Sequence, residues 1–251
     1  MLRQLTVTGY RSLHNLLLDV EPVTVLLGGN GTGKTNVYRA LRILAEAAAG
    51  RLSRCIVAEG GLPSVLSASA RPQPCTEVHL QCTIDEWTYE LELGSAIAST
   101  GRGSAFQLDP RVQRERLTVR DGERPVRFLE RHGVRTIVLD EQGRRVDYPH
   151  ELDPGESALG QLRDPARFPE LAALRTRLCG FRFYHQFRTD EQSPLRQPQV
   201  GTFTPVLAHD GSDLAAALQT LFEDQAPRPA GERLQRWLGD ILPGADVHVG
   251  I

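Results

Sequence analysis

Residues 28 to 36 read Gly-Gly-Asn-Gly-Thr-Gly-Lys-Thr-Asn, and Gly28-x4-Gly33-Lys34-Thr35 places glycines, one ammonium and one hydroxyl at the spacing of a phosphate cradle. Glycines let the backbone turn tightly and aim its N–H groups inward. A helix starting near Thr35 would turn its positive end toward the bound anion. Lys34 would set a compact charge between the β- and γ-phosphates of a nucleotide, and the Thr35 hydroxyl would reach Mg²⁺. Lys34 is the only lysine in the chain; the other 28 of its 29 basic residues are arginine. A guanidinium is planar and forks its donors, so arginine does not replace lysine at this position.

The neighbouring sequence supplies the elements that such a loop needs. "VTVLLG" (23–28) is near-continuously apolar and predicts a strand covered on both faces. After the loop, Val37, Ala40, Leu41, Leu44, Ala45 and Ala48 recur at helical spacing, and Gly50 is a natural stop. Upstream, "LRQLTVTG" and "HNLLLDV" predict two short strands joined by the turn Tyr10-Arg11-Ser12.

Further along, 51–75 is rich in Ser, Pro and Ala and reads as irregular. Val78, Leu80, Cys82 and Ile84 alternate with polar residues, as do Trp87, Tyr89, Leu91 and Leu93 beyond the turn at Asp85-Glu86, which predicts a hairpin. "GRGSAFQLDP" reads as a loop, and two more hairpins turn at "DGE" and "EQG", making 76–149 a mostly antiparallel β region. Helical patterns lie at about 156–163, 168–179, 212–223 and 230–241, while "FRFYHQF" (181–187) and "ADVHVGI" (245–251) read as strands.

Composition limits the function classes. Over 251 residues the chain is 40% hydrophobic and 24% charged with net charge −2, so a general polyanion-binding surface is disfavoured. Cys55, Cys75, Cys82 and Cys179 form no C-x-x-C pair and read as inert thiols in a reducing compartment. The amino terminus lacks the apolar core of a signal peptide, and no run of about 18 apolar residues exists. A cytoplasmic protein without a membrane partner is expected.

The loop with Asn30 inside it and Asn36 after it, the opening strands and the Tyr10-Arg11-Ser12 turn resemble the ATPase heads of the ABC class, and more narrowly the SMC/RecF/OLD-like group of AAA-family ATPases. The stretch from "FRFYHQF" to "AAALQTL" is similar to a later part of such ATPases, so the resemblance is strongest over 1–45 and 181–222. It implies an α/β P-loop NTPase of ABC-head type, with an antiparallel β subdomain packed beside the base and sugar. One ATPase domain over 1–251 is expected: N-terminal strands, loop and first helix in 1–50, the β region in 76–149, and a helical and strand region in 155–251. The implied cofactors are ATP and Mg²⁺, held by Gly28, Gly29, Asn30, Gly31, Thr32, Gly33, Lys34, Thr35 and Asn36, with Thr35 on the metal. The implied partners are the nucleotide, a second copy closing on ATP and, by analogy alone, DNA. Related heads end a strand with a glutamine that touches Mg²⁺ and the attacking water. Gln186, or His185 in its place, is the candidate here; the residues themselves favour an ordinary strand end with Phe181, Phe183 and Phe187 in the core. Arg11 and Ser12 read equally as nucleotide contacts and as a plain turn.

Such ATPases also carry a strand of four apolar residues followed by Asp-Glu, and before it a signature helix. "TIVLDEQG" matches superficially at Asp140 and Glu141, yet the chain turns at once into another strand, so a hairpin is expected instead. "ESALGQ" (156–161) has the wrong spacing for a signature loop. "AHDGSDL" (208–214) is followed by no such strand, and Ser212 is expected to cap the next helix. The expectation is an amino-terminal portion of a longer ATPase that stops before those elements. Two alternatives stay in view: a P-loop kinase of small molecules, and a nucleotide-gated interaction module that hydrolyses nothing.

Overall fold

The computed structural model describes residues 1–68, 75–95, 108–121, 124–140, 142–184, 187–223, 230–245 and 247–249. The chain divides into two compact units, Met1–Phe181 and Arg182–Ile251.

The first unit is built on one eight-stranded antiparallel sheet. Its strands are β1 (Leu2–Tyr10), β2 (Leu13–Asp19), β3 (Glu77–Ile84), β4 (Trp87–Ser95), β5 (Pro110–Asp121), β6 (Arg124–His132), β7 (Arg135–Leu139) and β8 (Arg145–Asp147), ordered β2-β1-β3-β4-β5-β6-β7-β8. The opening strands and the 76–149 region therefore form one sheet, joined where β1 pairs with β3 through Leu5↔Cys82 and Val7↔Leu80. Alternation decides which side is buried. Val78, Leu80, Cys82 and Ile84 face the core beside Trp87, Tyr89, Leu91 and Leu93. Polar residues line the other side, where Glu90 pairs with Arg116 and Arg116 with Glu130 across three strands.

Helix α1 (Lys34–Ala49) turns Val37, Ala40, Ile43, Leu44, Ala47 and Ala48 into that core. It stops at Gly50, whose φ of 74° a side chain would resist; Gly50 N–H donates to Ala47 O at 3.1 Å and Arg51 N–H to Glu46 O at 2.9 Å. The stretch expected to be irregular contains two short helices, α2 (Leu52–Ala58) and α3 (Leu62–Val65). Their buried Leu52, Cys55, Ile56, Leu62 and Val65 follow helical spacing within a Ser- and Pro-rich composition. Helices α4 (Ala158–Gln161) and α5 (Pro169–Cys179) complete the layer, with Leu171, Leu174 and Leu178 of α5 buried.

A buried polar network ties α4 to the sheet. Glu115, fully buried on β5, accepts hydrogen bonds from Tyr89 Oη (2.8 Å), Ser157 Oγ (3.0 Å), Ala158 N (2.7 Å) and Leu159 N (3.0 Å). Arg131, also fully buried, donates to the carbonyls of Gly133, Asp153 and Glu156. Glu115→Ala leaves the Tyr89 and Ser157 hydroxyls, two main-chain N–H groups and the Arg131 charge without this carboxylate. Breaking one side of a buried charged network costs about 3–5 kcal/mol. Urea unfolding is expected to show a loss of that size; a change below about 1 kcal/mol would mean that water replaces the carboxylate.

Three expected strands do not form among the described residues. Residues 21–30 take no strand conformation, and Val23, Val25 and Leu27 stand 82%, 71% and 90% exposed. A strand that is apolar on both faces needs neighbouring strands and cover on both sides, and no described strand pairs with this segment. The described part of 181–187 is likewise not a strand: Phe183 N–H donates to His209 Nδ1 (3.1 Å) and Tyr184 Oη to Leu207 O (2.9 Å), so loop contacts stand where a ladder would be. His185 and Gln186 lie outside the described residues. Ala245 and 247–249 also form no strand, with no strand partner among the described residues.

The second unit holds a 3₁₀ turn at Pro194–Arg196 and helices α6 (Leu214–Phe222) and α7 (Ala230–Ile241). Both helices fall where the sequence periodicity put them. Ser212 does not cap α6. Asp213 stands at that position with its carboxylate turned back to Ala208 N–H (2.8 Å), while Asp210 takes Ser212 N–H (3.0 Å). The loop closes on itself, Asp213 makes no capping bond, and Gln199 Oε1 accepts the first-turn N–H of Ala215 at 3.3 Å instead. No described helix is long and apolar enough to cross a membrane.

Candidate functional site

The glycine loop ends where α1 begins. Gly33 holds φ 99° at the N-cap position, outside the range open to most side chains, and Asn36 N–H closes the first turn on Gly33 O at 2.9 Å. Among the described residues, the main-chain N–H groups of Gly31 through Thr35 make no hydrogen bond. Such unpaired donors at a helix start are the groups that receive anions. Gly28 through Thr32 are exposed, so the cradle opens to solvent.

Lys34 folds over the loop. Its Nζ donates to Gly28 O at 2.5 Å and Gly29 O at 2.7 Å, and Thr32 Oγ1 donates to Gly29 O at 3.0 Å. The ammonium is thus held by two neutral carbonyls above the same backbone that bears the free N–H groups. Thr35 is exposed on the first turn, and its hydroxyl has no hydrogen-bond partner among the described residues. Asn30 and Asn36 flank the cradle; Asn36 Nδ2 donates to Ser12 Oγ at 2.9 Å. Of the nine residues singled out by the motif, eight are exposed or partly exposed around the start of α1, and Gly33 is buried against the β1–β2 turn.

Behind the loop sits the β1–β2 turn. Tyr10 is fully buried, and its Oη donates to Glu59 Oε2 at 2.7 Å. Arg11 donates to the same oxygen from Nε at 3.1 Å and from Nη2 at 2.9 Å. Burial, then the bond and charge of Glu59, raise the Tyr10 phenol well above its ordinary value. For Arg11, burial pulls the guanidinium down, but the bond and charge of Glu59 outweigh it and hold it above the ordinary value. The sequence did not single out Glu59. Its signal was faint: one acid at the end of a short helix hidden in a Ser- and Pro-rich tract.

The lookalike motifs have structural occupations. Asp140 Oδ1 accepts the N–H groups of Gln142 (3.0 Å) and Arg144 (2.8 Å), and Oδ2 takes Arg144 Nε (3.0 Å), so the carboxylate shapes the β7–β8 turn. Glu141 lies outside the described residues. Glu156 accepts Leu52 N–H (2.9 Å) and Ser53 N–H (3.1 Å) at the start of α2, and Ser157 caps α4 through Gly160 N–H. Replacing Asp140 by Asn and Glu141 by Gln together is expected to leave the affinity for Mg²⁺-ATP within about threefold, since removing exposed turn charge has small effects. A tenfold loss in calorimetry would make this turn part of the site.

The described residues contain no cluster of three or more His, Cys, Asp or Glu suited to a metal. Cys55 and Cys82 are buried, and burial pushes their thiols up to about 11 and about 12, in keeping with inert cysteines.

No protein-family model matches the chain. A similar curated protein is the DNA replication and repair protein RecF of Bifidobacterium adolescentis, 29% identical over 100 residues, which cover 39% of this chain and 23% of that one. The match thus spans less than a quarter of the relative's length. A solved chain from work on ATP-driven dimerization and DNA-stimulated activation of SMC ATPases aligns with 74% of this chain and 86% of its own. It does so at 16% identity and a TM-score of 0.31, too distant a superposition to carry an argument.

Proposed function

We propose that this chain, a partial relative of the SMC/RecF-like ABC-head ATPases, carries their nucleotide-binding P-loop and binds ATP with Mg²⁺ at residues 28–36. The observation that carries this reading is the pairing of free main-chain N–H groups at Gly31–Thr35 with the Lys34 ammonium bent over the same loop. The N–H groups would receive phosphate oxygens, and Lys34 would exchange the carbonyls of Gly28 and Gly29 for the β- and γ-phosphates. Thr35 fits a metal ligand: it is exposed, its hydroxyl is unpaired, and Mg²⁺ bound with a nucleotide needs few protein ligands beside phosphates and water. When bound, Mg²⁺ would neutralise charge between those phosphates.

By the same reading, ATP binding would close two copies around the nucleotide and hydrolysis would release them, in work on DNA. The closing of two copies rests on the resemblance of the loop and its flanking strands to such heads, and the DNA part on the name of the RecF relative, not on charge, since this chain is near neutral. Calorimetric titration with Mg²⁺-ATP tests the core of the reading. Saturable one-site binding, abolished by competing ADP, is expected; no heat and no change in the exchange of amides 31–36 would overturn it.

A further inference from the structure

We propose that the Tyr10-Arg11-Ser12 turn, locked by Glu59, is a brace that positions the Gly33–Asn36 end of the loop for phosphate, with Arg11 spent on the lock instead of on the nucleotide. The inference rests on the reading of 28–36 as a nucleotide site and assigns that site its positioning residues.

The lock is made of converging bonds. One carboxylate oxygen of Glu59 takes Tyr10 Oη and both Arg11 Nε and Nη2, and Arg11 Nη2 also reaches Glu59 O at 3.4 Å. The Glu59 and Arg11 side chains are only 13% and 25% exposed. If Arg11 left for a phosphate, Glu59 would keep a nearly buried charge with only the Tyr10 hydroxyl against it, which is unfavourable. The backbone is fixed as well. Arg11 N–H donates to Val65 O at 2.8 Å and Ser67 N–H to Gly9 O at 2.9 Å. Arg11 itself is held at φ 47°, a left-handed conformation that arginine seldom adopts unless its surroundings impose it.

The turn so fixed presents Ser12 to the loop. A Cβ on Gly33 would lie 2.7 Å from Ser12 Oγ and 3.2 Å from Leu13 Cδ2, so only glycine lets the loop close onto the turn. Ser12 Oγ accepts Asn36 Nδ2 at 2.9 Å, and Asn36 N–H is bonded to Gly33 O. A chain of direct contacts therefore runs from Glu59 through Arg11 and Ser12 to the two residues that bracket Lys34 and Thr35. On the other side of this site, 21–30 has no strand to hold it, which leaves the turn as the brace of the loop among the described residues.

The test compares Arg11→Ala, Glu59→Gln, their double variant, Ser12→Ala and Lys34→Ala in Mg²⁺-ATP calorimetry, with amide hydrogen exchange at Asn36 and Val37 measured without nucleotide. Arg11→Ala, Glu59→Gln and Ser12→Ala should each weaken binding about fivefold, the effect of one hydrogen bond. The double variant should be no more than about twofold weaker than either single, because both remove one device. Exchange should quicken at Asn36 and Val37, whose N–H groups are bonded to Gly33 O, while Ile43–Ala48 keep their protection, which a general loss of stability would not produce. Weaker binding by Arg11→Ala with undiminished binding by Glu59→Gln would overturn the proposal and make Arg11 a nucleotide contact. Parent-like affinity and exchange in all the turn variants, while Lys34→Ala loses binding, would overturn it as an inert turn. If Lys34→Ala binds like the parent, the nucleotide reading itself fails, and the exchange arm still decides whether the turn braces the loop. Ser12→Ala removes only a surface hydroxyl, so the test holds even if a Glu59 variant does not fold.

Discussion

Lys34→Ala is expected to weaken Mg²⁺-ATP binding by a factor on the order of 10² or more while leaving the fold intact. A charge-assisted bond to phosphate contributes roughly 1.5–3 kcal/mol net, and Lys34 can make two. Together they correspond to about 10² to 10⁴ in affinity. The lower end is the better expectation, because binding breaks the bonds that Nζ makes to Gly28 O and Gly29 O. The fold should not respond: Lys34 is only partly buried, and the buried face of α1 starts at Val37. Circular dichroism and the unfolding temperature should match the parent. Lys34→Arg sharpens the test. A guanidinium keeps the charge, but it is planar and forks its donors where the ammonium is a compact point charge. A loss of at least about tenfold is expected. Titration curves for Lys34→Ala that overlay the parent's would remove the nucleotide from this loop.

What could be read from the sequence depended on how local its cause was. The β3–β4 hairpin was legible because Val78, Leu80, Cys82 and Ile84 repeat the same side of a pleat, and all four are buried. Helix α1 and its glycine stop were legible for the same kind of reason. Residues 52–65 were not, because Ser and Pro masked the spacing of Leu52, Cys55 and Ile56. The stretches 23–28, 181–187 and 245–251 have strand composition but form no strand among the described residues. Composition records that a segment suits a sheet, whereas pairing requires a neighbour that composition does not supply. Within the candidate site, the glycines, Lys34 and Thr35 form a contiguous motif and could be found directly. Glu59 could not, since its contact with Arg11 joins residues 48 apart in the chain. Glu115 was within reach: it shares the pleat side of Leu117 and Val119, an inward position where an acid demands partners.

Residues 1–251 alone are expected to bind ATP but turn it over below about 0.1 s⁻¹, two orders of magnitude under a typical enzyme rate of about 10 s⁻¹. Phosphoryl transfer needs the phosphates positioned and the attacking water activated. The proposed cradle at residues 28–36 would meet the first need. The second calls for an uncommitted carboxylate, and the acids around the first unit's helices are already engaged. Glu46 pairs with Arg51, Glu59 holds Arg11 and Tyr10, Glu115 holds the start of α4, and Glu156 holds the start of α2. Asp140 is bound into its own turn, at the end of a strand five steps across the sheet from β1. At about 4.8 Å per step that is roughly 24 Å along the sheet, too far to orient a water on the loop. Absence of a general base costs on the order of 10² to 10⁴ in rate. Phosphate release from the purified chain, measured beside Lys34→Ala, decides the matter. Turnover near 10 s⁻¹ that disappears with Lys34 would show that a carboxylate within these residues activates water. Glu141→Gln and Glu59→Gln would then identify it: loss of turnover without loss of ATP affinity marks the base, and loss of both marks a residue that only shapes the loop.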